Sequence, residues 1–191
     1  MLRTLLAVLM IGLLAGCATP GLEVARVTEV RPTNRATGLD VYAERRRAGD
    51  KVPDFSGDQI VDVRTYKAQE DSDFAGEEFA GARCSVKARD YATEVITPAR
   101  IRVPIYRQQS SALSVSCEHA GYQPRSAVLE VYNKTKQQNY ASASGSGLVG
   151  LLVVAALTEL SDENTHTFAY PPARVVMRPL AKRAAARREP N

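Results

Sequence analysis

The sequence contains no uninterrupted apolar run of the roughly 20 residues that a membrane-spanning helix takes, so no permanent spanning helix is expected. It has no Cys-x-x-Cys pair, no Gly-x-Ser-x-Gly elbow and only two histidines, His119 and His166, neither with a nucleophile beside it in sequence. These gaps remove the common thiol-redox, serine-hydrolase and zinc-site patterns. Gly145-Ser146-Gly147-x-x-Gly150 superficially resembles a phosphate loop, but no lysine follows and the next residues are aliphatic, so a hinge is the better reading. No catalytic residue, metal ligand or cofactor is therefore expected, and the chain is not read as an enzyme. Disorder is excluded too, because 45% of the residues are hydrophobic.

The N-terminus carries the strongest positive signal. Arg3 precedes an apolar run from Leu5 to Leu14, broken only by Gly12 and too short to be a permanent span. Leu14-Ala15-Gly16-Cys17 comes directly after it and resembles the lipobox of bacterial lipoproteins. That resemblance implies a signal peptide over residues 1–16, a diacylglycerol thioether on Cys17, cleavage before it and an acylated new amine. The competing reading is an ordinary signal peptide, or a short helix, with a chance cysteine. Acyl chains buried at ~0.8 kcal/mol per methylene would anchor the mature chain firmly to the bilayer. Ala18 stands where an aspartate would retain an enterobacterial lipoprotein in the inner membrane, so the outer membrane, facing the periplasm, is expected.

Export changes how the rest is read. The net charge of +4 includes Arg3 and a basic tail in which Lys182, Arg183, Arg187 and Arg188 face only Glu189. A nucleic-acid partner is not expected in the envelope; the tail is a solvated end or a contact for anionic lipid or cell wall. With Cys17 assigned to lipid, Cys84 and Cys117 remain as an even pair in an oxidising compartment, where a disulfide is the default. Closing a loop of about 34 residues contributes roughly 3–4 kcal/mol on the chain-entropy model. A metal or redox pair is the alternative.

Along the body, Leu22, Val24, Val27 and Val30 alternate imperfectly, as in a strand. Gly49, Asp50 and Pro53 stop any helix attempted after Val41. Ile60 to Tyr66 alternates as a strand, and Glu70 to Glu78 is acidic, with Phe74 and Phe79 as anchors on the body. Cys84–Ala88, Ala99–Ile105, Ala112–Cys117 and Ala127–Tyr132 each show period two and are separated by turn residues, which predicts a small antiparallel β-sandwich. Leu113, Val115 and Cys117 share its inner face, turning the sulfur toward Cys84. His119 reads as an exposed turn residue and Gly147 to Leu157 as a short buried helix or strand.

The order Gly81-Ala82-x-Cys84, Thr97-Pro98-Ala99, Leu113-x-Val115-x-Cys117 and Gly121-Tyr122 resembles the PEGA-type surface-layer module, and more closely a group of proteobacterial lipoproteins with that pattern and two added cysteines. The similarity covers about 55 residues. A weaker tail match runs from a Gly/Ser stretch through Asp162 to Tyr170-Pro171 and a last strand, Ala173 to Met177. The resemblance implies that Thr-Pro starts a strand and that Gly-Tyr turns the chain out of another; it implies no chemistry.

The fold expected is mainly β, a small antiparallel sandwich with an N-terminal signal helix and one short apolar helix or strand after a Ser/Gly hinge. Residues 1–16 are the signal, 17–80 the lipid tether and first strands, 81–179 the PEGA-like sandwich with an apolar insertion at 147–160, and 180–191 the tail. The function expected is non-catalytic binding or scaffolding in the envelope, the partners being the bilayer through Cys17 and an envelope protein. Its rivals are a membrane-active or oligomer-forming lipoprotein using residues 147–157 and, with least support, a hydrolase of wall or lipid.

Overall fold

The computed structural model describes residues 22–24, 26–34, 36–70, 72–143, 162 and 165–180. The lipobox residues Leu14, Ala15, Gly16 and Cys17, the apolar segment 147–157 and the basic tail lie outside them.

The described chain is mainly β. In order it forms β1 (Val27–Glu29), β2 (Arg31–Pro32), α1 (Ala43–Arg47), β3 (Gly57–Ala68), β4 (Ala75–Phe79), β5 (Arg83–Lys87), β6 (Tyr91–Ile96), β7 (Ala99–Ile105), β8 (Leu113–Glu118), β9 (Arg125–Leu129), β10 (Tyr132–Asn133), α2 (Lys134–Ala143), β11 (Phe168–Ala169) and β12 (Ala173–Met177). One five-stranded sheet runs β1-β7-β3-β12, with β4 also on β3; the other runs β2-β6-β5-β8-β9. Strand pairing is antiparallel except for β1 with β7 and β12 with β3, which are parallel. Val63 pairs with Ala99 on one edge and with Ala173 on the other, so β7 and β4 share one edge of β3 while β12 takes the opposite one.

Alternation explains how the two sheets close on each other. Val61, Val63, Ile101, Val103, Ala173 and Val175 point inward from the first sheet; Cys84, Val86, Val95, Leu113, Val115 and Cys117 do so from the second, and together they form one core. β3 is central to its sheet, and Val30 and Val41 also lie in this core. The sandwich therefore begins well before Gly81, where the sequence pattern alone would start it, because residues 27–68 supply one sheet with its longest strand. Between β1 and β2 the chain crosses from one sheet to the other at buried Val30, whose N–H donates to Arg102 O at 3.2 Å.

One local detail agrees with expectation and two differ. Gly49, at φ 87°, does stop the chain after Ala48, but one turn of helix, α1, forms first. β6 occupies a stretch that reads as a connection between Asp90 and Thr97-Pro98; Tyr91 and Val95 face inward, while exposed Ile96 disguises the alternation. Phe74 is 73% exposed and does not anchor the acidic stretch, because it sits at the turn between β3 and β4 with its ring in water. Phe79, by contrast, packs against the core.

Candidate functional site

β3 gives the sandwich a direction. β12 is parallel to it, ending with Met177 level with Lys67, so the last described residues emerge at the end where β3 finishes. The β3–β4 hairpin tip and the β8–β9 turn lie there as well. Gly121, at φ 82°, reverses the chain after β8. Tyr122 then bridges Pro179, Gln123 N–H donates to Arg178 O at 2.8 Å, and Leu180 N–H donates to Gly121 O at 2.8 Å.

At this end an aromatic cluster forms from residues distant in sequence. Phe79 and Tyr122 stack with ring centroids 4.6 Å apart and planes 13° from parallel, and His119 meets both edge-on at 5.2 and 5.3 Å. His119 is thus half-buried in an aromatic stack, not an exposed turn residue, because the turn folds its ring back onto β4. Its Nδ1 lies 2.8 Å from the Ala120 carbonyl, which can only accept, so Nδ1 carries the proton and Nε2 of the neutral ring is an acceptor. Gly81, at φ 90°, sits beneath that ring, and a Cβ there would stand 3.6 Å from Nε2.

Beside the cluster runs an open groove of about 520 Å³, lined by Arg83, Ile96, Glu118, His119, Tyr122 and Pro124. A second hollow of about 490 Å³ continues past Ile96 and Arg83 to Val24, Arg26 and Pro98. Ile96 is 64% exposed, and Arg83 and Glu118 meet at 3.9 Å across the β5–β8 pair while remaining mostly in water. Such a pair holds little energy and is free to re-pair with a ligand. Aromatic, aliphatic and charged groups side by side suit binding.

The disulfide lies just inside the same end. Cys84 and Cys117 are directly opposed in the antiparallel β5–β8 register, with Cα atoms 4.1 Å apart, and both are buried. They are bonded to each other, as their number and inward register imply. The link joins neighbouring strands of one sheet rather than the two sheets.

The opposite end is closed by buried tyrosines. Tyr106 OH donates to Asp40 Oδ1 at 3.1 Å and accepts from Val41 N–H at 2.9 Å, while Arg46 Nη1 donates to Asp40 Oδ2 at 2.7 Å. Tyr42 packs edge-on to Tyr106 at 5.0 Å and donates to Asp90 Oδ2. Tyr170 OH donates to Ser111 O at 2.6 Å, and its backbone is clasped by Gln59. Burial disfavours every phenolate here: Tyr42 is pushed up to about 12, helped by its bond to Asp90, and Tyr91, Tyr106 and Tyr170 are also raised, burial being the main cause. Nothing in sequence periodicity marks this cluster, since its members lie on separate elements.

His166 is buried at this far end, its Nδ1 2.8 Å from Asn133 Nδ2, which must be the donor. The two histidines therefore lie at opposite ends of the sandwich and share no site. Among the described residues no group of three or more His, Cys, Asp or Glu is gathered as a metal site would need. No family model, curated protein or solved structure matches this chain.

Proposed function

We propose that this chain is a lipid-anchored envelope protein, exported and acylated at Cys17, whose sandwich binds or scaffolds a partner without catalysing a reaction. The observation that carries the reading is the buried Cys84–Cys117 disulfide. Of three cysteines it uses two, and such a bond belongs to an oxidising compartment. The third cysteine then stands alone, at the end of a signal-like apolar run and behind Leu14-Ala15-Gly16. The open groove around Ile96 and Tyr122 supports a binding role, and Ala18 favours the outer membrane. The sequence pattern of Gly81 to Tyr122 supports kinship with PEGA-like lipoproteins.

Cys17→Ser tests the anchor. The variant is expected to keep the larger precursor size and to take up no labelled palmitate. Unchanged mobility and labelling would overturn the reading.

A further inference from the structure

The anchor leaves the sandwich in a defined direction. β1 is parallel to β7 and β7 antiparallel to β3, so tracing the chain backward from Val27 leads toward the end where β3 finishes. Leu22 is held on that path: Arg64 Nη1 donates to Leu22 O at 3.0 Å, Leu22 N–H faces Glu78 Oε2 at 3.4 Å, and Arg64 pairs with Glu78 at 2.6 Å. Glu78 stands level with Tyr66 in the β3–β4 hairpin. From Glu78 to Phe74 at the tip the strand covers about 13 Å, at ~3.3 Å per residue. From Leu22 to Cys17 the chain covers at most about 18 Å even when fully extended. A lipid on Cys17 can therefore hold the bilayer little farther from the body than the hairpin tip itself reaches.

The same end carries the features that a membrane surface rewards. Phe74 is the most exposed large apolar side chain among the described residues, at 73%, and Leu180 is 54% exposed. Asp73 accepts from Arg178 at 3.0 Å and from Arg125 at 3.2 Å, so hairpin tip, β12 exit and β9 are tied together. The described chain leaves at this end at Leu180, and Lys182, Arg183, Arg187 and Arg188 follow it in sequence. Basic residues are complementary to anionic headgroups. Glu70 and Glu77 are exposed on the hairpin and oppose deep insertion, which sets the contact at headgroup depth. Side-on docking would instead press the ion-paired outer face of the first sheet, Arg100 with Asp62 and Arg102 with Asp58, against lipid.

We infer that the sandwich stands end-on upon the membrane that holds its anchor, with the β3–β4 tip at Phe74 touching the headgroups and the tyrosine-closed end pointing away. The inference rests on acylation of Cys17. With Cys84 and Cys117 bonded and Cys17 acylated, one introduced cysteine is the only thiol. Full-length acylated protein carrying Phe74→Cys or, at the far end, Asp54→Cys is labelled with nitrobenzoxadiazole and reconstituted in phosphatidylethanolamine–phosphatidylglycerol vesicles. Nitroxide on the lipid headgroups is expected to remove most of the emission at position 74 and none at 54, with a blue shift at 74 alone. Equal quenching at both positions, or none at either in protein that floats with the vesicles, overturns the end-on orientation and leaves the anchor standing. Protein that carries no acyl mass on Cys17 and fails to float overturns the anchor, and the orientation with it.

Discussion

Both ends of the sandwich gather aromatic residues, and they use them in opposite ways. At the far end Tyr42, Tyr91, Tyr106 and Tyr170 are buried, and their hydroxyls are spent on Asp90, Asp40, Ser111 and one another. At the hairpin end Phe79, His119 and Tyr122 stack only half-buried, and Phe74 and Leu180 stand in water. Burying a tyrosine stabilises the fold only when its hydroxyl finds a partner. The far end meets that condition and therefore serves stability, whereas the hairpin end leaves apolar surface unspent and available for contacts outside the chain.

The contrast breaks most visibly under truncation. Tyr170→Ala removes a side chain that is 1% exposed, along with its bond to Ser111 O, and is expected to cost about 3–5 kcal/mol in urea unfolding. A loss below about 1 kcal/mol would mean that the far end is not the stabilising one. The disulfide should rank next. Cys84→Ala with Cys117→Ala opens a loop with a sequence separation of 33, and a loss of about 3–4 kcal/mol is expected from chain entropy. If the double variant melts with the parent, the staple adds nothing beyond the packing around it.

A single oxygen sharpens the comparison further. Tyr106→Phe keeps the ring against Tyr42 but strips the Val41 N–H of its acceptor, at an expected cost of about 1–3 kcal/mol. Tyr122→Phe at the hairpin end should cost far less, because that ring is only partly buried. An equal loss at both positions would erase the distinction.

Much of the sandwich was legible because alternation is a local signal. Ala99–Ile105 is a strand with the bounds its pattern suggests, and Leu113, Val115 and Cys117 share the inner face that brings the sulfur to Cys84. What escaped was set by distant partners. Tyr42, Tyr91, Tyr106 and Tyr170 each look like isolated aromatics until β3, β6 and β7 bring them to one end. Phe74 reads like an anchor because an apolar residue in an acidic stretch usually packs on the body; here it sits at the hairpin turn and faces water. His119 sits beside a glycine that signals a turn, and only the return of that turn onto Phe79 buries it.

Alkaline titration tests the burial of the far end by chemistry. In the unfolded chain a tyrosine ionises near pH 10, whereas folded Tyr42 holds its proton to about 12, and Tyr91, Tyr106 and Tyr170 are raised as well. Between those values the unfolded state binds fewer protons than the folded one, so stability must fall as the pH rises. The contribution is fully present below pH 10 and is lost through the interval above it. Phenolate absorbance of Tyr42, Tyr91, Tyr106 and Tyr170 is expected to appear only with unfolding. A single smooth titration near 10 would show that the far end admits water.

The smallest effects belong to the tip. Phe74→Ala deletes a ring that is 73% exposed, and stability should stay within about 0.5 kcal/mol of the parent. Asp73→Asn weakens the pairs with Arg125 and Arg178, but Asp73 is 68% exposed, so screening by water limits the loss to about 0–1 kcal/mol, smaller still in high salt. The two substitutions should nevertheless act differently on a surface. Phe74→Ala removes apolar contact and is expected to weaken vesicle binding of a soluble form beginning at Ala18, whereas Asp73→Asn removes a negative charge that neutralises Arg125 and Arg178 and is expected to strengthen binding to anionic vesicles alone. Flotation with and without phosphatidylglycerol reads both. If either variant unfolds the protein, the tip belongs to the stabilising part of the molecule. If both fold and neither changes flotation, the exposed apolar surface at this end serves a protein partner at the groove beside Tyr122 and not the bilayer.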